Sequence, residues 1–216
     1  MSHAKSSTAT VFEITLFTKN NGPLTKSITL TANGDIVSDA SACRMSRGKA
    51  RRVKIDNIEE LGRLIEKIEP DQAIALGALR VDLPDEVGIN RKEEINSHTR
   101  PDIIARIAAN ICYRAGQPAF ALVDADTKGM PADIATEVNR RGGFWSTLLS
   151  LFPALRGVAH VTRNSTSAGL FRTDTGEKLT GSGGLHAYLA IKNGSDVERF
   201  LKILHDRAAG WPVSVG

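Results

Sequence analysis

Two aspartates one residue apart, Asp124 and Asp126, follow the apolar run Ala119-Phe120-Ala121-Leu122-Val123. Side chains two apart on a strand share a face, so this spacing predicts paired carboxylates at a strand end. Held close together they repel, and proton affinity rises unless a cation neutralises them. A hard divalent ion, Mg²⁺ or Mn²⁺, is the natural partner and usually works beside substrate phosphates. The same residues also suit a plain turn, where Asp is common. A second group is Gly181-Ser182-Gly183-Gly184-Leu185-His186-Ala187-Tyr188. Its glycines permit close approach of backbone to a phosphate, and His186 and Tyr188 fall on one face of the strand that follows. A tight turn joining two strands would also use such glycines. A third, Arg163-Asn164-Ser165-Thr166-Ser167-Ala168-Gly169, offers a cation and hydroxyls, among them Ser165 and Ser167, to hydrogen-bond a ligand.

A fourth group is electrostatic. Arg44, Arg47, Lys49, Arg51, Arg52 and Lys54 occur with no acid among them, and these six exceed the whole formal net charge of +4. Clustered cations release the counterions condensed on nucleic acid, so this segment is the candidate contact with a template backbone. The alternative is a solvated strand or loop.

The elements that must position these residues are read from periodicity. Residues 10–19 are β-rich, 26–38 form a hairpin around Asn33-Gly34, and 51–55 alternate as a further strand. Asp56 or Asn57 caps an amphipathic helix carrying Ile58, Leu61, Leu64, Ile65 and Ile68, which Pro70 stops. A short strand is expected within 73–79. Residues 82–101, polar and with two prolines, read as a long connection and a boundary. The stretch 103–113 fits either period. Strands follow at 119–123, 159–162, 170–172 and 185–191, with helices from Pro131 to about 141, over 144–155, and from Ser195 or Asp196 to about 208. A β-rich half followed by mixed elements argues an α+β or α/β fold, divided into an N-terminal β-rich subdomain with one helix over 1–82 and a core over 101–216, or one intimately packed domain.

At 216 residues, 41% hydrophobic and 24% charged, the composition is that of a globular protein with a sizeable core. No apolar run approaches the roughly 18 residues of a membrane span, and the first residues lack the apolar stretch of a secretory signal. Cys43 and Cys112 are the only cysteines, which excludes a disulfide framework and the common structural zinc sites. The expected setting is soluble and cytoplasmic, with no membrane partner.

The order of these groups, carried by residues 120–131, 161–176 and 181–191, resembles the archaeo-eukaryotic primase superfamily. It resembles most closely the N-terminal primase-polymerase domain of bacterial phage- and plasmid-type primase-helicases. The resemblance implies an RRM-like catalytic core behind an N-terminal β-rich α/β module. It implies metal-dependent nucleotidyl transfer from (d)NTPs on a nucleic-acid template in the replication of a mobile element, with a replicative helicase as a possible partner. Asp124 and Asp126 match the metal-binding pair, and His186 matches the histidine that contacts the incoming nucleotide's phosphates. Ser182 matches the serine before it, one residue further away than in the tightest form of that motif. Gly183, Gly184, Lys128, Ser165 and Ser167 complete the nucleotide-binding set. The family's third motif, an acidic residue on a later strand, is not found; a chain ending before that motif is the expectation, with Asp174, Glu177 and Asp196 as substitutes. The alternative function is a degenerate module that binds nucleotide or nucleic acid without catalysis. A metal-dependent glycosyltransferase would also use Asp-x-Asp, but it leaves the glycine-histidine strand and the basic segment unexplained. A haloacid-type phosphatase expects Thr or Val where Lys128 stands.

Overall fold

Alternation organises the first sheet. In the computed structural model, which describes residues 10–96, 98, 100–127, 130–179 and 184–209, strand β1 (Phe12–Lys19) buries Phe12, Ile14 and Leu16 on one face and Thr15 and Phe17 on the other. The hairpin of β2 (Ser27–Leu30) and β3 (Ile36–Asp39) follows, then β4 (Gly48–Ile55), helix α1 (Ile58–Glu66), β5 (Gln72–Ala75), β6 (Ala78–Leu79) and β7 (Glu86–Asn90). After β8 (Ile103–Ala105) and β9 (Ile111–Cys112) come β10 (Ala119–Ala125), α2 (Ala132–Arg140), α3 (Phe144–Leu151), β11 (His160–Asn164), β12 (Leu185–Ile191) and α4 (Val197–Ala209). The fold is α+β. A five-stranded sheet has the order β5-β1-β4-β7-β8, and a three-stranded antiparallel sheet the order β10-β12-β11. Two-stranded sheets pair β2 with β3 and β6 with β9.

Helix α1 starts where its capping residues dictate. The Asn57 side chain accepts from Glu60 N at 2.9 Å, and Glu60 accepts from Asp56 N at 2.7 Å, a reciprocal cap. Ile58, Leu61 and Ile65 then form its buried stripe, and the helix ends at Glu66, well before Pro70.

Residues 82–101 are not a simple connection. They contribute β7, which pairs antiparallel with β4 and parallel with β8. Val87 and Ile89 point to the core, each 2% exposed, and the prolines, Pro84 and Pro101, flank the strand instead of interrupting it. The ambiguous stretch after Pro101 resolves as β8 and β9. The strand expected at 170–172 reduces to one bridge between Phe171 and Lys178.

In the three-stranded sheet β10 and β12 are covered on both faces, which explains their near-continuous apolar sequences, whereas the edge strand β11 is largely exposed. Ala119, Ala121, Val123, Ala187 and Leu189 pack against Leu148, Phe152, Val197 and Leu204 from the region of α3 and α4. The opposite face carries Phe120 and Tyr188 into a cluster with Phe12, Ile14, Ile55, Ile58, Leu61 and Ile65, so the two larger sheets share a core. Phe12 and Phe120 stack there with ring centroids 4.2 Å apart. Among the described residues, no helix is long and apolar enough to cross a membrane.

Candidate functional site

Strand register sets the geometry of the site. β12 is central, and His186 lies directly between Asp124 on β10 and Arg163 on β11. All three therefore occupy one row on one face. The next rows on that face are Leu122, Tyr188 and Val161, with Phe120 and Ala190 beyond. The face thus runs from an apolar end, clamped against α1 and β1, to a polar end. At that polar end His186 Nε2 is 3.4 Å from Asp124 Oδ1, a contact that becomes an ion pair when the imidazole is protonated. The Asp124 side chain is 58% exposed and that of His186 26%.

Helix α1 fixes the third member of the row. A side chain at Gly62 would come within 3.3 Å of Val161 Cγ2, so the helix lies close on β11 at this point. Arg163 Nη1 donates to the Ile65 carbonyl at 2.6 Å. That carbonyl belongs to the last helical turn, where carbonyls lack intrahelical partners and the dipole favours a cation. Tyr188, below His186, is buried. Burial is the main cause that pushes its phenol above the ordinary value; Arg163 opposes the shift and Asp124 adds to it.

The row opens into a cleft of about 820 Å³ between the two larger sheets, a size typical of small-molecule sites. From the first half of the chain Lys26, Cys43, Glu69, Gln72 and Ile74 line it; from the second, Arg163, Asn164, Ser165, Thr166, His186 and Tyr188. Lys26 Nζ spans it and donates to Ser167 Oγ at 3.2 Å. Ser165 and Ser167 lie 3.5 Å apart through their hydroxyls. The cleft brings His186, Ser165 and Arg163 together, with Asp124 beside His186. Lys26 joins them without any local sequence signal, because 141 residues separate it from its partner.

Asp126 is exposed and follows the last residue of β10. Gly184 stands just before β12, where its carbonyl accepts from Ser165 N at 2.9 Å. Lys128, Ser182 and Gly183 lie outside the described residues. Of the substitute acids, Asp174 pairs with Arg172 at 2.9 Å and Asp196 with Arg199 at 2.8 Å. The Arg172 hydrogen bond holds the Asp174 carboxyl below its usual value. Glu177 is exposed in the loop bridged by Phe171 and Lys178, and none of the three lines the cleft. Among the described residues, no three His, Cys, Asp or Glu side chains are grouped as metal ligands.

The basic segment divides. Arg44, Arg47, Lys49, Arg51 and Lys54 are exposed. Arg47 pairs with Glu94 at 3.0 Å and Lys49 with Glu86 at 2.8 Å. Arg52 leaves the set: its side chain is 9% exposed, paired with Glu13 and Asp85, and donates to the Leu79, Arg80 and Leu83 carbonyls. Strand alternation is the cause, since Arg51 and Arg52 point to opposite faces. In register, Arg51 and Ile74 flank Leu16, while Lys49 and Gln72 flank Thr18. Ile74 and Gln72 line the cleft. Lys49 and Arg51 therefore share the sheet face that forms its wall, two strand spacings or about 10 Å away.

Compared with known proteins, the chain matches no family model, no curated protein and no solved structure.

Proposed function

We propose that the chain is a nucleotidyltransferase of the primase-polymerase type, with an RRM-like core around β10, β12 and β11 and its nucleotide in the cleft between the sheets. The observation that carries this reading is the single row Asp124, His186, Arg163, which opens on a cleft lined by Lys26 and hydroxyls. An acidic group beside a basic, hydroxyl-lined cleft suits a metal-bound triphosphate. Asp124 and Asp126 fit a hard divalent ion, because both are exposed oxygen donors at one strand end and substrate phosphates can complete the coordination. Bound there, Mg²⁺ or Mn²⁺ would neutralise charge on the reacting phosphate oxygens. The chain's own part is positional. His186, held between Asp124 and Arg163, donates to a phosphate oxygen, and the Ser165 and Thr166 hydroxyls accept or donate at the cleft wall. Lys49 and Arg51 offer a template backbone a cationic surface continuous with that wall.

A second reading is binding without transfer. The placement of the substitute acids favours it: Asp174 and Asp196 are paired with Arg172 and Arg199, and neither they nor Glu177 line the cleft, so they would not hold a metal on the attacking 3′-hydroxyl. One preparation decides between them. With Mn²⁺ present, dNTP affinity and primer extension are measured on the wild type, Asp124→Ala and His186→Ala. Affinity should fall in both variants while their melting temperatures stay close to wild type, as both side chains are partly exposed and outside the core. Extension that disappears with Asp124→Ala supports transfer, and binding without extension supports the second reading. Unchanged affinity in both variants would remove the nucleotide from this cleft.

A further inference from the structure

The cleft's two fixed cations come from different halves of the chain. Lys26 immediately precedes β2, is half-buried, and finds its partner in the Ser167 hydroxyl. Arg163 is exposed on β11, with one guanidinium N–H given to the Ile65 carbonyl. Among the described residues, neither pairs with a carboxylate. An ammonium has three donors and a guanidinium five, so both retain capacity for an acceptor. Charged oxygens are the stronger acceptors, and bonds to them are roughly twice as strong as those between neutral groups. Among the described residues, the lining holds one carboxylate, the exposed Glu69. Cations on opposite walls, with His186 next to Arg163 on one of them, suit an elongated polyanion better than a single phosphate.

We propose that Lys26 is a phosphate ligand, contributed from across the cleft by the N-terminal half of the chain. A nucleotide's triphosphate replaces the Ser167 hydroxyl as the acceptor of its ammonium, with Arg163 and His186 on the opposite wall. Binding then ties the segment leading into the β2-β3 hairpin to the three-stranded sheet through the ligand. The triphosphate assignment rests on the nucleotide reading of the cleft; the polyanion site itself does not.

Calorimetric titration of the full chain, with Mn²⁺ present, tests this with two probes: dATP and inorganic tripolyphosphate. Lys26→Met keeps the apolar stem and removes the charge, Lys26→Arg keeps the charge, and His186→Ala serves as reference. Lys26→Met should weaken both probes by about tenfold or more, the size expected for one charge-assisted bond. Lys26→Arg should recover most of that loss, and the ligand-free melting temperature should stay at the wild-type value in both. Wild-type affinity in Lys26→Met, with binding lost in His186→Ala, would overturn the Lys26 assignment and leave the nucleotide reading intact. Lys26-dependent binding of tripolyphosphate without binding of dATP would sustain the polyanion site and defeat the nucleotide reading. No binding of either probe to the wild type would overturn both. Affinity loss in both Lys26 variants with an equal fall in ligand-free melting temperature would make Lys26 structural and also overturn the proposal.

Discussion

A β-carbon added to Gly184 would lie 2.6 Å from Ser165 Oγ, 3.1 Å from Ser165 Cβ and 3.5 Å from the Ala125 carbonyl oxygen. Its φ is not positive, so backbone freedom does not select glycine here; a neighbouring side chain does. Ser165 cannot simply retreat, because its own N–H is bonded to the Gly184 carbonyl. Gly184→Ala should therefore behave as overpacking and destabilise the protein by about 1–3 kcal/mol. Adding Ser165→Ala removes the closest clash but not the one at Cβ, so the double variant should recover part of the loss. Urea melts of the single and double variants measure both effects. A wild-type midpoint in Gly184→Ala would show that the ends of β10, β11 and β12 shift freely. At this scale the sequence was informative about residue type: glycine before the histidine strand suits phosphate approach, and the structure adds a second demand on the same position, the close approach of the Ser165 hydroxyl.

Between elements, the most deeply buried ion pairs among the described residues join Glu13 on β1 to Arg52 on β4 and to Arg114 ahead of β10. Their side chains are 15%, 9% and 14% exposed. Arg114 Nη2 donates to Glu13 at 2.7 Å, and both arginines also donate to the Leu79 carbonyl. Glu13→Gln keeps the shape but leaves two nearly buried cations facing a neutral amide. Removing one partner of such a group costs about 3–5 kcal/mol, so a fall of that order is expected in urea denaturation. A loss below about 1 kcal/mol would mean that Asp85 and the carbonyls suffice for both guanidinium groups. None of this joint was legible in advance, since its members are brought together by strand pairing and by the chain's return after β9. Helix α1, by contrast, was legible, because Asn57, Glu60 and the Ile58, Leu61, Ile65 spacing are local signals. β10 and β12 were legible for the same reason. β7 was missed because its charged and proline-bearing flanks outweighed the two residues, Val87 and Ile89, that carry its alternation.

Across the whole molecule, charge is sorted by the two-residue period of β4. Lys49 and Arg51 emerge on the face that forms the cleft wall, whereas Arg52 turns into the joint with Glu13. A run of like charges in sequence is thus two populations in space, and salt dependence separates them. If a single strand lies across this face, the slope of log affinity against log salt should be about −0.7 per phosphate contact. Arg51→Ala should make that slope shallower by about one contact and leave the melting temperature near wild type, since the side chain is exposed. Arg52→Ala should do the reverse, lowering the urea midpoint by leaving Glu13 with Arg114 as its remaining partner, while the slope measured below the melting transition stays the same. Fluorescence titrations of an oligonucleotide at several salt concentrations, beside melts of each variant, supply both readouts. The same slope in Arg51→Ala, Arg44→Ala and Lys54→Ala would place the strand elsewhere and detach the basic segment from the cleft. A slope altered by Arg52→Ala in a protein of wild-type stability would mean that its guanidinium swings out of the joint to meet the phosphates.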